Sequence, residues 1–351
     1  MRTPQQVSQK MIAREAGVSQ ATVSLVLSGR TVSSEATRQR VLEAAERLRY
    51  RPNLLVQGIQ TGKTRTIGVM APPFDLHWSR ILYGIHDVLA ENDHVPISLW
   101  TRHQGPNEKP VTGYEVSELE QIHRLLDRRV DGVILWPPFA SLFSEHVSEF
   151  SSRDLPVVTI DHVLPTEFRA DSVCNDEAMG ARVVAEHLLG LGHRRIGHLA
   201  GPGVATWAKQ RREQFERVVK ELGGVEVAVR EAPPGETSLG LDAARELLLM
   251  SPRPTAVFAA SDLYAKCVYR AAAELGLRIP QDVSVIGFSD DGFADVMQPG
   301  LTTVQQFPYA VGRKAAELVL GRTTGTLVDA TPQKVQMPVG LVMRGSTKNP
   351  E

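Results

Sequence analysis

The chain has 351 residues, 42% hydrophobic, 6% aromatic and 23% charged, a globular make-up with enough length for two or three domains. Disordered and fibrous classes are excluded, no run approaches the ~18 consecutive apolar residues of a membrane span, and the start, MRTPQQVSQKMIAREAG, has no apolar stretch that would serve as a secretory signal. A net charge of −1 hides an asymmetry: residues 1–65 hold 11 Lys/Arg and 4 Asp/Glu, leaving 28 basic and 36 acidic residues for the remainder, so a polyanion is expected at the head.

A cytoplasmic protein with no membrane partner is expected. Its two cysteines, Cys174 and Cys267, are too few for a disulfide framework and neither belongs to a C-x-x-C pair, so both read as buried thiols, without redox or zinc chemistry.

In chain order, Ser8 is placed to cap a helix that runs to Ala16 and stops at Gly17. Ser19 is placed to cap a second, whose apolar Val23, Val26 and Leu27 recur at i, i+3, i+4. A third helix starts near Ser33, has Glu35 in its first turn, puts Val41, Leu42, Ala45 and Leu48 on one face, and ends at Tyr50-Arg51-Pro52. Residues 1–52 thus read as a helix-turn-helix domain with a supporting helix.

In that arrangement the second helix enters the major groove of DNA with its N-terminal residues towards the bases, while a serine cap and backbone amides take phosphates. Beside the Ser19 cap, the outward side carries Gln20, Ala21, Ser24 and Leu25, with Thr22 near the phosphate edge. Gln20 is the expected base reader, because a carboxamide bonds adenine N6 and N7 together, whereas Ala21 and Leu25 offer only apolar contact to a thymine methyl. Arg30 is expected to hold phosphate.

Residues 53–65, NLLVQGIQTGKTR, read as a linker or a context-dependent helix, weakened by Gly58 and Gly62. The run QGIQTGKT has Gln57 where a phosphate-binding P-loop needs its first glycine, and no strand precedes it. From residue 66 onward, TIGVMAP, HVPISLW, VDGVILWPP, PVVTID, RIGHLAG, VEVAV, TAVFAAS and VSVIGFSDD alternate with helical segments. These are βαβ units with buried parallel strands, too many for one small sheet, so residues 66–351 are expected to form two α/β lobes. The N-lobe is expected at about 66–161 plus 294–323 and the C-lobe at about 162–293 plus 324–346, the chain crossing more than once.

Ligands of open parallel sheets bind beyond the carboxyl ends of the strands. The candidates there are Asp75, Trp78, Trp136, Asp161, Trp207, Arg211, Asp262 and Asp290, a set of carboxylates and an arginine around aromatic faces that suits a polyhydroxylated small molecule. No H-E-x-x-H pair, G-x-S-x-G elbow or G-x-G-x-x-G after a strand occurs, so binding is expected rather than catalysis, with no cofactor and no metal.

The stretch IAREAGVSQATVSLVLSG followed by RQRVLEAAERLRYRPN resembles the N-terminal domain of the LacI/GalR family of bacterial transcriptional regulators. LPVVTID, GARVVAEHLLGLGHRRIGHLAGP, RPTAVFAASD, PQDVSVIGF, LTTVQQ and VMRGST resemble that family's two-lobed, periplasmic-binding-protein-like regulatory domain in order and spacing. The resemblance implies an effector-controlled repressor, a homodimer whose heads read half-sites of a near-palindromic operator, with a sugar or sugar derivative bound between the lobes. It implies that residues 53–61 fold as a hinge helix on double-stranded DNA, with Asn53 among the contacts and Ile59 as the apolar wedge in the minor groove. It also makes Arg211 in RREQF the effector-clasping arginine, Asp290 the second acid of a GF-D-D motif, and Asp161 and Asp262 pocket residues.

Departures from the family pattern are Leu25, where an arginine that reads guanine is common, Gly58 beside the wedge, Ser289 for the first acid and Gln214 for a glycine. A two-lobed transport receptor is the alternative, but it has no use for residues 1–65 and would need an export signal. The ending STKNPE carries no heptads, which favours a dimer over a coiled-coil tetramer.

Overall fold

The computed structural model describes residues 7–27, 34–51, 58, 62–72, 76–100, 114–136, 148–150, 152–203, 205–223, 225–233, 240–329 and 331–350. The chain divides into two units, residues 1–64 and 65–351.

In the first unit α1 (Gln9–Ala16) stops at Gly17, whose φ of 64° is the left-handed conformation that glycine adopts without strain. After this turn α2 (Gln20–Leu27) starts at Ser19, whose hydroxyl accepts from the Thr22 amide at 3.1 Å. Helix α3 (Glu35–Arg47) is capped in the same way by Ser34, which accepts from the Thr37 amide at 3.2 Å. Ile12, Ala13, Ala16, Val23, Val26, Val41, Ala44 and Ala45 form the shared core. Two expectations change. Ser8 precedes α1 without a side-chain capping bond, and Leu42, expected inside, is exposed while Ala44 takes the buried place, because α3 presents its i, i+3, i+4 positions 41, 44 and 45 to the other helices.

The second unit is built on two six-stranded sheets. The first contains β1 (Thr66–Ala71), β2 (Val95–Trp100), β3 (Gly132–Leu135), β4 (Val157–Ile160), β5 (Asp171–Asn175) and β11 (Lys334–Met337), in the order β11-β5-β4-β3-β1-β2 and parallel throughout. The second contains β6 (Ile196–Ala200), β7 (Val227–Glu231), β8 (Ala256–Ala259), β9 (Ser284–Ser289), β10 (Thr302–Gln305) and β12 (Gly340–Val342), in the order β12-β10-β9-β8-β6-β7, with only β12 antiparallel. Both faces of each sheet are apolar because both are covered. Helices α4 (Leu76–Glu91) and α10 (Pro308–Thr324) share a core on one face of the first sheet, and α5 (Tyr114–Asp127) packs on the other. In the second sheet α6 (Glu177–Gly190) and α7 (Thr206–Leu222) cover one face, α8 (Gly240–Leu248) and α9 (Asp262–Glu274) the other.

The lobe boundaries differ from those expected. The chain leaves the first sheet after Asn175 rather than after Asp161, β10 belongs to the second sheet, and β11 returns to the first before β12 joins the second. Asp171 supplies the physical reason for the first difference. It is 1% exposed, and its carboxylate accepts from Arg322 of α10 at 2.7 and 2.8 Å and from the Gln333 amide at 2.7 Å, which ties β5 to α10 and to the entry of β11.

Candidate DNA-reading face and effector cleft

On α2, burial of Val23 and Val26 turns Gln20, Ala21 and Leu25 outward, with Thr22 and Ser24 half-buried beside them. The Ser19 hydroxyl is within 2.9 Å of the Thr22 hydroxyl as well as capping its amide, so these two side chains hold the entry of the helix. Arg30, Asn53 and Ile59 lie outside the described residues, as does Asp75 of the cleft set.

In the second unit the carboxyl ends of both sheets contribute to one polar cluster. Arg211 projects from α7 and is 4% exposed. Its Nε and one terminal nitrogen donate to the two Glu177 oxygens at 2.7 and 2.6 Å, and the other terminal nitrogen donates to the Ala260 carbonyl, at the end of β8, at 2.6 Å. The guanidinium lies 3.4 Å from the centre of the Phe288 ring and 5.2 Å from that of Trp207. Glu177 opens α6 immediately after β5, so it reaches this cluster from the point where the chain passes between lobes.

Asp161 approaches from the end of β4. Its φ of 58° is left-handed, a conformation aspartate and asparagine tolerate better than most residues, and its Oδ1 accepts from Asn175 Nδ2 at 3.3 Å. Burial pushes its carboxyl up to about 7, Glu177 adds to the rise by repulsion, and Arg211 and Asn175 oppose it. The neighbouring Cys174 thiol is pushed up to about 12, first by burial and then by Asp161 and Glu177, so it is inert at neutral pH.

A carboxyl raised in the folded state destabilises the fold above its ordinary value of 3.8. Between about pH 4 and 7 the folded protein keeps a proton that the unfolded chain has released, so this contribution to stability falls as pH rises through that window and is fully lost above it. Asp161→Asn suits the same backbone and is expected to stabilise the protein by about 1–3 kcal/mol at pH 8, less than the full ~4 kcal/mol conversion because the side chain keeps some water. Thermal melts of both proteins at pH 8 and pH 4 check this. The gain should vanish at pH 4, and an equal gain at both would show that another group titrates.

The other residues expected in the cleft divide into two groups. Trp136 and Trp207 retain exposed surface. Trp78 is 6% exposed, packed in the first-lobe core with its ring edge-on to Trp136 at 5.4 Å, so it supports Trp136 from behind. Asp262 is fully buried, and both its oxygens are engaged, by the Thr303 hydroxyl at 2.5 Å and the Asp291 amide at 2.8 Å. That corrects its expected role: it holds the turn after β9 rather than presenting an oxygen to a ligand. Asp290 in that turn accepts from Arg344 at 2.7 Å and Gln305 at 3.0 Å.

Asn175, Glu177 and Phe288 were not read as site residues. The signal was an acid at the first position of a helix following a strand, and it depended on seeing β5, whose polar DSVCN carries no apolar run. Among the described residues no group of three or more His, Cys, Asp or Glu is placed to hold a metal ion, and no helix is long and apolar enough to cross a membrane.

Residues 8–53 match the lacI family of bacterial regulatory proteins and residues 185–347 a periplasmic binding protein-like domain. Catabolite control protein A of Priestia megaterium is 30% identical over 343 residues, 96% of this chain and 98% of its own length. A lac repressor dimer bound to operator and the anti-inducer ONPF superposes with a TM-score of 0.83 at 26% identity, over 98% of this chain and 100% of that one. A complex of the transcriptional regulator CelR with cellobiose superposes with a TM-score of 0.69 at 27% identity, over 97% and 100%. Helix-turn-helix head, paired parallel sheets and full-length similarity agree, and the chain belongs to the lacI family of bacterial regulatory proteins as a DNA-binding transcriptional regulator.

Proposed function

We propose that this regulator is a cytoplasmic repressor, not an enzyme, that binds a near-palindromic operator as a homodimer and releases or tightens on it when a sugar or sugar derivative enters the cleft between its lobes. The observation that carries this reading is the cluster of Asp161, Asn175, Glu177 and Arg211, drawn from both lobes to the carboxyl ends of their sheets. Trp136 and Trp207, both half-buried, are aromatic groups on which sugar C–H faces would stack. Relatives of the same architecture support it: the lac repressor is a dimer on operator with a small-molecule anti-inducer, and CelR holds cellobiose.

The sign of the response depends on which state the effector prefers, and coupling of 1–3 kcal/mol is typical of such linkage. Residues 53–65, with Ile59 as wedge, connect the effector unit to the head formed by residues 1–52. Selection of bound sequences from random DNA at fixed salt, repeated with a panel of sugars, tests both halves. An enriched near-palindrome whose retention one sugar alters is the expected result. No enriched sequence removes the operator reading, and enrichment indifferent to every sugar removes the effector reading.

Within the head, Gln20→Ala is expected to relax preference at one adenine-containing position by about 1–3 kcal/mol while leaving the salt dependence of binding unchanged. Unaltered preference in that variant's selected sequences would remove Gln20 as a reader.

A further inference from the structure

We propose that Glu177 fixes the charge class of the effector: the cleft takes a neutral or cationic ligand rich in hydrogen-bond donors and rejects anionic ones such as sugar phosphates and sugar acids. This rests on the cleft being the effector site. An anion would need a cation whose charge is not already matched, and Arg211 is 4% exposed with its charge matched by Glu177. Two of its nitrogens are held by the Glu177 carboxylate and the third by the Ala260 carbonyl, while its ring-facing side is closed by Phe288. Arg344 is likewise bonded to Asp290 and to the Leu301 carbonyl, at 2.7 and 2.8 Å.

What remains on offer is acceptors. The Asn175 side-chain oxygen is buried, 5% residue exposure, and has no hydrogen-bond partner, although its amide nitrogen is spent on Asp161. A buried acceptor left unmatched is unfavourable, and a ligand hydroxyl or ammonium would recover that loss. Among the described residues the Asp161 carboxylate beside it accepts one side-chain hydrogen bond, from that neutral amide, and it feels Glu177 as a like charge and Arg211 as an opposite one.

The sequence of the segments that follow the strands has the same bias. Residues 72–75, 136–147, 201–205, 232–239 and 289–291 contain Asp75, Glu145, Glu236, Asp290 and Asp291 and not one Lys or Arg. Residues 161–170, after β4, hold Asp161, Glu167 and Arg169, and the segment after β2, at the far edge of the first sheet, holds Arg102, Glu108 and Lys109.

The test compares inorganic phosphate, glucose 6-phosphate and glucuronate with glucose and glucosamine, by thermal shift and calorimetry at constant ionic strength, on the full chain and on two variants. Glu177→Gln keeps the size and one acceptor for Arg211 but removes the opposing charge, whereas Glu177→Asp retains that charge. The wild type and Glu177→Asp are expected to ignore all three anions, and Glu177→Gln to bind them at least tenfold more tightly, through Arg211. Stabilisation of the wild type by any of the anions that is lost in Arg211→Lys would overturn the proposal, and this arm needs no Glu177 variant to fold. Failure of a folded Glu177→Gln to gain anion binding would overturn it as well. If the anions behave as expected while glucose, glucosamine and every other neutral or amino sugar are also ignored, the charge assignment stands and the sugar reading falls.

Discussion

Arg211→Met should abolish the response to effector while leaving operator binding intact below a lowered melting temperature. Arg211 is the residue through which α7, the end of β8 and the start of α6 are joined, by bonds to Ala260 and Glu177 and by its stacking on Phe288. Methionine retains much of the apolar stem and replaces the guanidinium–ring contact with a sulfur–ring one, but it leaves the Glu177 carboxylate, whose side chain is only 13% exposed, with no cation. Breaking a buried pair by removing one partner typically destabilises by about 3–5 kcal/mol, because the surviving charge is stranded. The double variant Arg211→Met, Glu177→Gln should recover a large part of that loss, as replacing both members of a buried pair often does. The head has its own core of Ile12, Val23, Val41 and their neighbours, and is expected to keep its fold. Melting curves and operator titrations with and without effector check the three proteins. A retained effector response in the single variant would move the effector site elsewhere.

Gly312→Ala should be the most destabilising glycine-to-alanine change among the described residues. Helices α4 and α10 meet backbone to backbone at Gly84 and Gly312: a Cβ at Gly312 would overlap the Ile81 carbonyl, and one at Gly84 the Tyr309 carbonyl. Neither helix is free to retreat, because Ile81, Ile85, Val88 and Leu89 of α4 and Val311, Ala315, Ala316 and Val319 of α10 are packed in one core with the first sheet. Overpacking commonly destabilises by 1–3 kcal/mol, and here the obstacle is main chain rather than a side chain that can rotate, so a loss of about 3 kcal/mol or more is expected. For a unit of this size that corresponds to a drop in Tm of roughly 6–12 °C. Gly190→Ala is the control: it lies in the last turn of α6 with nothing within 4 Å of the added carbon, and should stabilise by about 0.5–1 kcal/mol. Equal effects of the two substitutions would mean that the helices separate at little expense.

How far each part was legible depended on whether its cause lay nearby in the chain. The head was readable almost throughout, since caps at Ser19 and the glycine stop at Gly17 act within four residues and the spacing of Val23 and Val26 states which side is inward. Leu42 was misplaced because 41 and 42 lie on adjacent faces of one helix and both are apolar, so only the packing partner selects between them. The long apolar strands were equally plain. β5 was not, because Asp171, Ser172 and Asn175 look like loop residues until Arg322, 151 positions later, and the Gln333 amide are there to satisfy them.

In the cleft, chemistry was legible and roles were not. Arg211 and Asp161 are where strand ends place them, and their residue types announced a polar site. Asp262 carried the same signal and proved to be fully engaged inside, while Glu177 carried a weaker one and proved to hold the arginine. The sequence by itself determined the helix-turn-helix head, the alternating strands and helices, and the positions from which polar groups start. Tertiary structure alone decided which sheet β5, β10 and β11 enter and whether each carboxylate is bonded inside or left facing the cleft. Caps and periodicity are interactions between neighbours in the chain, whereas strand pairing and the neutralisation of a buried charge join residues tens to hundreds of positions apart, which meet only when the whole lobe has closed around them.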